Sequence, residues 1–162
     1  MRRCQQGGMY AAERRVPLGI RFSDEAEAVR YLTRVMDHPM WPLEHPRVER
    51  VDVRIDRRHA NPCGGWSFED RVGRINLARS PYEIVLLHEL AHIVCHADTG
   101  SRQAHGPVFA RTYLELVYRN MGSEVYQQLH RGMLDEGLEF HADAPAGRER
   151  LVHAMGPADA SG

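Results

Sequence analysis

The chain has no lysine: all 21 of its basic residues are arginine, a mark of codon usage rather than of chemistry. It also has no paired cysteines. Cys4, Cys63 and Cys95 are odd in number, and no two of them form a C-x-x-C unit, which argues against a disulfide framework or a thiolate-built zinc ribbon. No apolar run approaches the ~18 residues that a bilayer-crossing helix needs. The charged opening Met-Arg-Arg-Cys-Gln-Gln has no apolar stretch behind it to make a secretory signal. An excess of one charge is missing too: the formal net charge is −1, which gives no global attraction to nucleic acid or to a membrane. These absences leave a cytoplasmic protein with no membrane partner as the expectation. Arg47, Arg50, Arg54, Arg57 and Arg58 crowd one stretch, but such a run is usually a solvated face, and nucleic-acid contact is the lesser reading of it.

What is present is ordinary globular material. At 162 residues, 43% hydrophobic and 27% charged, the chain suits one domain able to bury a core without staples. Residues 1–8 and 143–162 read as mobile ends around a domain at 9–142. Ser23, followed by Asp24 and Glu25, reads as the N-cap of a helix carrying Ala28, Val29, Leu32, Val35 and Met36. Pro39 and Pro42 close that helix. Val51, Val53 and Ile55 alternate with Asp52, Arg54 and Asp56, the period of a half-buried strand. Trp66–Phe68 and Arg74–Leu77 read as a hairpin, with Cys63-Gly64-Gly65 as a turn before it. Ser80, Pro81 and Glu83 have the spacing of a capping box opening a helix to about Ala97. Pro107 opens a further helix that stops before Gly122, and Ser123 caps a last one ending at Gly137. Helix, strands, then helices is the order of an α+β fold.

Within the Ser80 helix lies His88-Glu89-Leu90-Ala91-His92, an H-E-x-x-H motif. Residues four apart on a helix share a face, with Cβ atoms about 5–6 Å apart. That separation lets two imidazoles reach one tetrahedral zinc at about 2.0–2.1 Å. Glu89, one residue along, can act as general base toward the attacking water without coordinating the metal. A third ligand must come from beyond the helix. His105 stands before a helix start, with Gly106 permitting close approach and Pro107 fixing the corner. Asp98 is placed as in metzincins, but the glycine those enzymes need is Cys95 here. His96 continues the i, i+4 row, and one straight helix cannot easily wrap three ligands around an ion. Glu115 would be the gluzincin-style choice, without a neighbouring pattern to support it. His105 is the preferred third ligand, giving one zinc per chain on His88, His92 and His105.

The run His88-Glu-Leu-Ala-His92, with His105-Gly-Pro-Val-Phe109 after it, resembles the SprT-like zinc metalloproteases, whose pattern is H-E-x-x-H, a short loop, then H-G-x-x-F. It is closer still to a group of small uncharacterised metallohydrolases related to them, which share the Tyr-Ala-Ala-Glu wording found here at Tyr10 to Glu13. The resemblance runs from about Tyr10 to Phe140 and is specific between about Ser80 and Tyr118. It implies a zincin-like fold: a small sheet packed on the active-site helix, with an edge strand able to receive an extended peptide. It implies a metallopeptidase acting on a protein or peptide substrate. The zinc ribbons or fingers that take such proteases to DNA are absent, so the chemistry transfers better than a DNA-repair role. The oxyanion partner is open between Tyr82, Tyr113 and nearby arginines.

Two other functions compete. The run His88 to His96 also resembles the ImmA/IrrE-like repressor-cleaving regulators, which would need a downstream Glu such as Glu115 as ligand. A metal-stabilised binding module would need a fourth protein ligand from Asp98, His96 or Cys95. Cys95 otherwise reads as a small buried hydrophobe and Trp66 with Phe68 as core. His38, His45, His59, His130, His141 and His153 have no ligand spacing and read as surface or cap residues.

Overall fold

The computed structural model describes residues 5–100 and 105–138. The expected mobile stretch 143–162 lies outside them, as do residues 1–4, while Gln5 to Gly8 belong to a helix. In chain order the elements are α1 (Gln5–Glu13), α2 (Glu25–Met36), α3 (Trp41–Glu44), β1 (Val51–Arg54), β2 (Cys63–Ser67), β3 (Val72–Asn76), α4 (Glu83–Thr99), α5 (Pro107–Met121) and α6 (Ser123–Asp135). The result is a small α+β fold with a three-stranded mixed sheet in the order β1-β3-β2. The hairpin partners β2 and β3 run antiparallel, and β1 joins the far side of β3 in parallel.

The sheet lies directly on α4, and glycine makes the approach close. A Cβ on Gly73 would stand 2.8 Å from Ile93 Cγ2, and one on Gly64 would stand 2.5 Å from the backbone oxygen of Glu89. This corrects the reading of Cys63-Gly64-Gly65 as a turn. The three residues open β2, and at Gly64 the strand is pressed so close to the α4 backbone that no side chain fits. On α4, Leu86, Leu87, Leu90, Ala91, Ile93, Val94 and Ala97 are buried around most of the circumference. A helix apolar on nearly every side is a central one: α4 has β2 and β3 on one flank and α5 on another. The packing then continues from α5 to α6 and from α6 to α1.

Three helix starts differ from the sequence expectation. The cap of α2 is Asp24, whose carboxylate accepts the Glu27 N–H at 2.8 Å, while the Glu27 carboxylate turns back to the Ser23 N–H at 2.8 Å. The N-cap is therefore one residue later than Ser23. For α6 the N-cap is Gly122, and Ser123 is the first helical residue. The third shift is the largest. Helix α4 starts at Glu83, Tyr82 is extended, and Ser80 caps nothing. The chain at 18–22 runs alongside instead: the Glu83 N–H donates to Ile20 O at 2.8 Å and the Ile84 N–H to Leu18 O at 3.2 Å. The Glu83 carboxylate accepts from the Ile20 N–H at 3.0 Å and from the Tyr31 hydroxyl at 2.6 Å. A distant backbone thus satisfies the open donors that a side-chain cap would otherwise meet. Pro42 does not close α2, which ends at Met36, but stands in the first turn of α3. Trp66 is buried as expected, whereas Phe68 is exposed beyond the end of β2, edge-on to Trp66 and to His96.

Candidate metal centre

Helix α4 carries His88, Glu89 and His92, and the turn ahead of α5 carries His105. The structure brings the three histidines together. Nε2 of His88 lies 3.1 Å from Nε2 of His92 and 3.0 Å from Nε2 of His105. The ring centroids form a nearly equilateral triangle with sides of 4.9, 5.0 and 4.8 Å. Helical spacing accounts for the first pair. His105 reaches the others through a left-handed backbone, φ 63°, followed by extended Gly106 and by Pro107 in the first turn of α5. A non-glycine residue held at positive φ stores strain, and such positions gather at functional sites.

Phe109 lies against all three rings, with centroids 5.0, 4.3 and 4.8 Å from those of His88, His92 and His105. His88 and His105 are buried and His92 is half-buried. Burial, aided by the charge of His88 and of His105, pushes His92 down to about 3. Burial first, then His88, pushes His105 down to about 4 against the opposing pull of Glu13. Both rings are therefore neutral near pH 7, as metal ligation requires. Two nitrogens on one tetrahedral zinc at about 2.0–2.1 Å stand roughly 3.3 Å apart, close to the separations seen. The donor set fits a single such cation.

Glu89 is buried beside this cluster. Burial raises its carboxyl above the ordinary range; Glu13 adds to that, while the charge of His88 and the Gly64 N–H work against it. Gly64 lies against Glu89, and its N–H is near enough to the carboxylate to favour the ionised form, so the outer edge of β2 adjoins the site.

Sequence reasoning missed two more participants. Glu13, at the end of α1, lies in hydrogen-bond contact with Nδ1 of His88, and the buried Tyr113 hydroxyl comes near it. Tyr10, one turn earlier, stacks on His88 with centroids 5.6 Å apart and planes at 9°. The signal was available: Tyr10 and Glu13 are three apart in a stretch noted only for its wording, and that spacing shares a helix face. Tyr113 is fully buried and directed at Glu13 and at Ile84 O; Tyr82 opens α4 in the bridge to Arg21.

The rejected ligands have other work. Glu115 pairs with Arg119 at 2.6 Å, Asp98 faces His45 at 3.4 Å, and the Cys95 thiol donates to Thr112 Oγ1 at 3.6 Å. Cys95 is buried, and burial raises its thiol. Within the arginine-rich stretch, Arg50 pairs with Asp52, Arg58 with Asp56, and Arg47 donates to Ala97 O.

No family model, curated protein or solved structure matches this chain. The case for function therefore stands on the site itself. No helix among the described residues is long and apolar enough to cross a membrane.

Proposed function

We propose that this chain is a zinc-dependent metallohydrolase of zincin-like arrangement, related to the SprT-like proteases and cleaving peptide bonds. The observation that carries the proposal is the convergence of three imidazole Nε2 atoms beside a buried carboxylate on the same helix. His88, His92 and His105 would hold the ion. When bound, zinc supplies Lewis acidity, bringing the pKa of water to about 7 and polarising a carbonyl.

The remaining chemistry belongs to the chain. Glu89 takes the proton from the attacking water and passes it to the leaving amine as the C–N bond breaks. The raised affinity of its carboxyl for a proton suits both transfers. Gly64, which carries no side chain, lets β2 close on Glu89 without covering the carboxylate with a methyl group. Strand β2 is at the sheet edge next to the site, so an extended peptide can pair with it and bring a carbonyl within reach of Glu89. The repressor-cleaving reading would require Glu115 as ligand, and that carboxylate is engaged by Arg119.

Zinc content and peptide hydrolysis measured on wild type, Glu89→Gln and His105→Ala test the proposal. We expect about one zinc per chain in wild type and in Glu89→Gln, a large loss in His105→Ala, and hydrolysis reduced by ~10²-fold or more in Glu89→Gln. Wild type that takes up no zinc when the metal is supplied, or hydrolysis that survives in Glu89→Gln, would overturn it.

A further inference from the structure

The three converging histidines differ in what stands behind them. His105 Nδ1 is buried without a hydrogen-bond partner among the described residues. His88 Nδ1 faces a carboxylate, Glu13, which comes from another element and lies 75 residues away in sequence. A neutral imidazole carries one N–H and one lone pair, and an ionised carboxylate can only accept. With His88 as the neutral ring that ligation requires and Glu13 as carboxylate, this contact would place the His88 proton on Nδ1 and leave the Nε2 lone pair toward His92 and His105. Without that partner the proton is free to sit on Nε2, where it would block ligation.

Helix α1 is built to deliver this carboxylate. Met9 and Ala12 are fully buried, and a Cβ on Gly132 would stand 3.1 Å from that of Ala12, so α1 and α6 touch closely. Arg15, just past the helix, pairs with Asp135 at 2.8 Å and Glu136 at 2.7 Å. On the facing side Tyr10 stacks on the His88 ring, and the buried Tyr113 hydroxyl comes near Glu13 from α5. The face and the Nδ1 edge of the His88 ring thus both meet residues outside the H-E-x-x-H helix.

We propose that Glu13 is a positioning residue of the metal centre, fixing the Nδ1–H tautomer and the orientation of His88 so that its Nε2 is presented for ligation. This rests on the metal-site reading above, but its effect on His88 can be measured without metal. A carboxylate behind a ligating histidine also raises the basicity of the ring, and removing such partners typically lowers metal affinity about 10–100-fold.

The test uses the full chain with Glu13→Ala and the near-isosteric Glu13→Gln. Two quantities are read: zinc affinity by competition with a chelator of known strength, and the His88 tautomer of the metal-free protein by long-range ¹H–¹⁵N correlation. We expect the Nδ1–H form in wild type and a shift toward Nε2–H in Glu13→Ala. Zinc affinity should fall about 10–100-fold in Glu13→Ala and by less in Glu13→Gln, whose amide oxygen can still accept. A residue that served only to hold α1 in place would lower thermal stability without changing the tautomer. Should Glu13→Ala fail to fold, the Gln variant carries the comparison. Unchanged affinity and tautomer in the folded variants would overturn the proposal, as would an Nε2–H His88 in wild type. If wild type binds no zinc, the proposed function fails, and the tautomer alone still decides the role of Glu13.

Discussion

Gly64 shows how one missing methyl shapes the site. A Cβ there would meet the Glu89 backbone oxygen at 2.5 Å and the Glu89 Cβ at 3.0 Å. The first of these atoms belongs to the spine of α4 and cannot swing aside. In Gly64→Ala we therefore expect β2 to move off α4, drawing the Gly64 N–H away from the Glu89 carboxylate. Overpacking of this kind costs about 1–3 kcal/mol, readable by urea unfolding. The proposed hydrolysis should fall with it, while zinc content, assigned by the proposal to the three histidines, should persist. Gly65→Ala is the control, because no atom lies within 4 Å of a Cβ there. Zinc binding offers a second measurement at this scale. The proposed ligands lie on α4 and on the turn before α5, so the ion would tie the two elements together. At a free concentration 100 times the dissociation constant it should add about 2.7 kcal/mol of stability, seen as a rise in Tm that His105→Ala abolishes.

At the scale of elements, the helix starts separate local from distant capping. Asp24 accepts the Glu27 N–H, so Asp24→Ala should cost about 1 kcal/mol, the usual value of an N-cap. Ser80 caps nothing, and Ser80→Ala should stay within about 0.5 kcal/mol of wild type. Glu83→Ala is expected to cost more than either. It strips the Ile20 N–H and the buried Tyr31 hydroxyl of their acceptor, and lost hydrogen bonds to a charged group are worth about 1.5–3 kcal/mol each. Chemical denaturation of the three variants ranks them, and an Asp24→Ala loss smaller than that of Ser80→Ala would refute the assignment. The start of α4 lies two residues later than the Ser80 cap implied, for this reason. The Ser-Pro-x-Glu spacing is a sound local signal, but the chain at 18–22 supplies the acceptors and draws Tyr82 into an extended bridge with Arg21. The hairpin, the alternating strand and the start of α5 at Pro107 were legible, because each follows from a local period or a fixed proline φ.

Across the whole molecule, α3 and α5 are joined by Glu44 and Arg119. Burial pushes the Glu44 carboxyl up, but hydrogen bonding to Arg119 and its charge together outweigh that, and the carboxyl is held below its ordinary 4.5. A depressed folded-state value means that the ionised form favours folding. The contribution is present above the unfolded value and fades as pH falls through the folded one, so the window lies below 4.5. Unfolding measured across that range should show a shallower loss of stability in Glu44→Gln than in wild type; equal slopes would remove Glu44 from the account of acid sensitivity.

The sequence by itself determined what is local. The i, i+4 spacing of His88 and His92 places both rings on one face of a helix, and Gly106-Pro107 sets His105 at the mouth of the next. The apolar periods marked α2, α5 and β1 because side chains within a turn or a pleat repeat on the face they bury. Only the tertiary structure decided that Glu13 stands behind His88, that Gly64 reaches Glu89, and that α1 forms at all. The chain from Gln5 to Glu13 has no strong apolar stripe, so it takes its helical form from the surfaces of α6 and the histidine cluster. Contacts between residues 75 apart in sequence leave no periodic trace in the chain; they are fixed when two surfaces meet and the buried polar atoms between them must find partners.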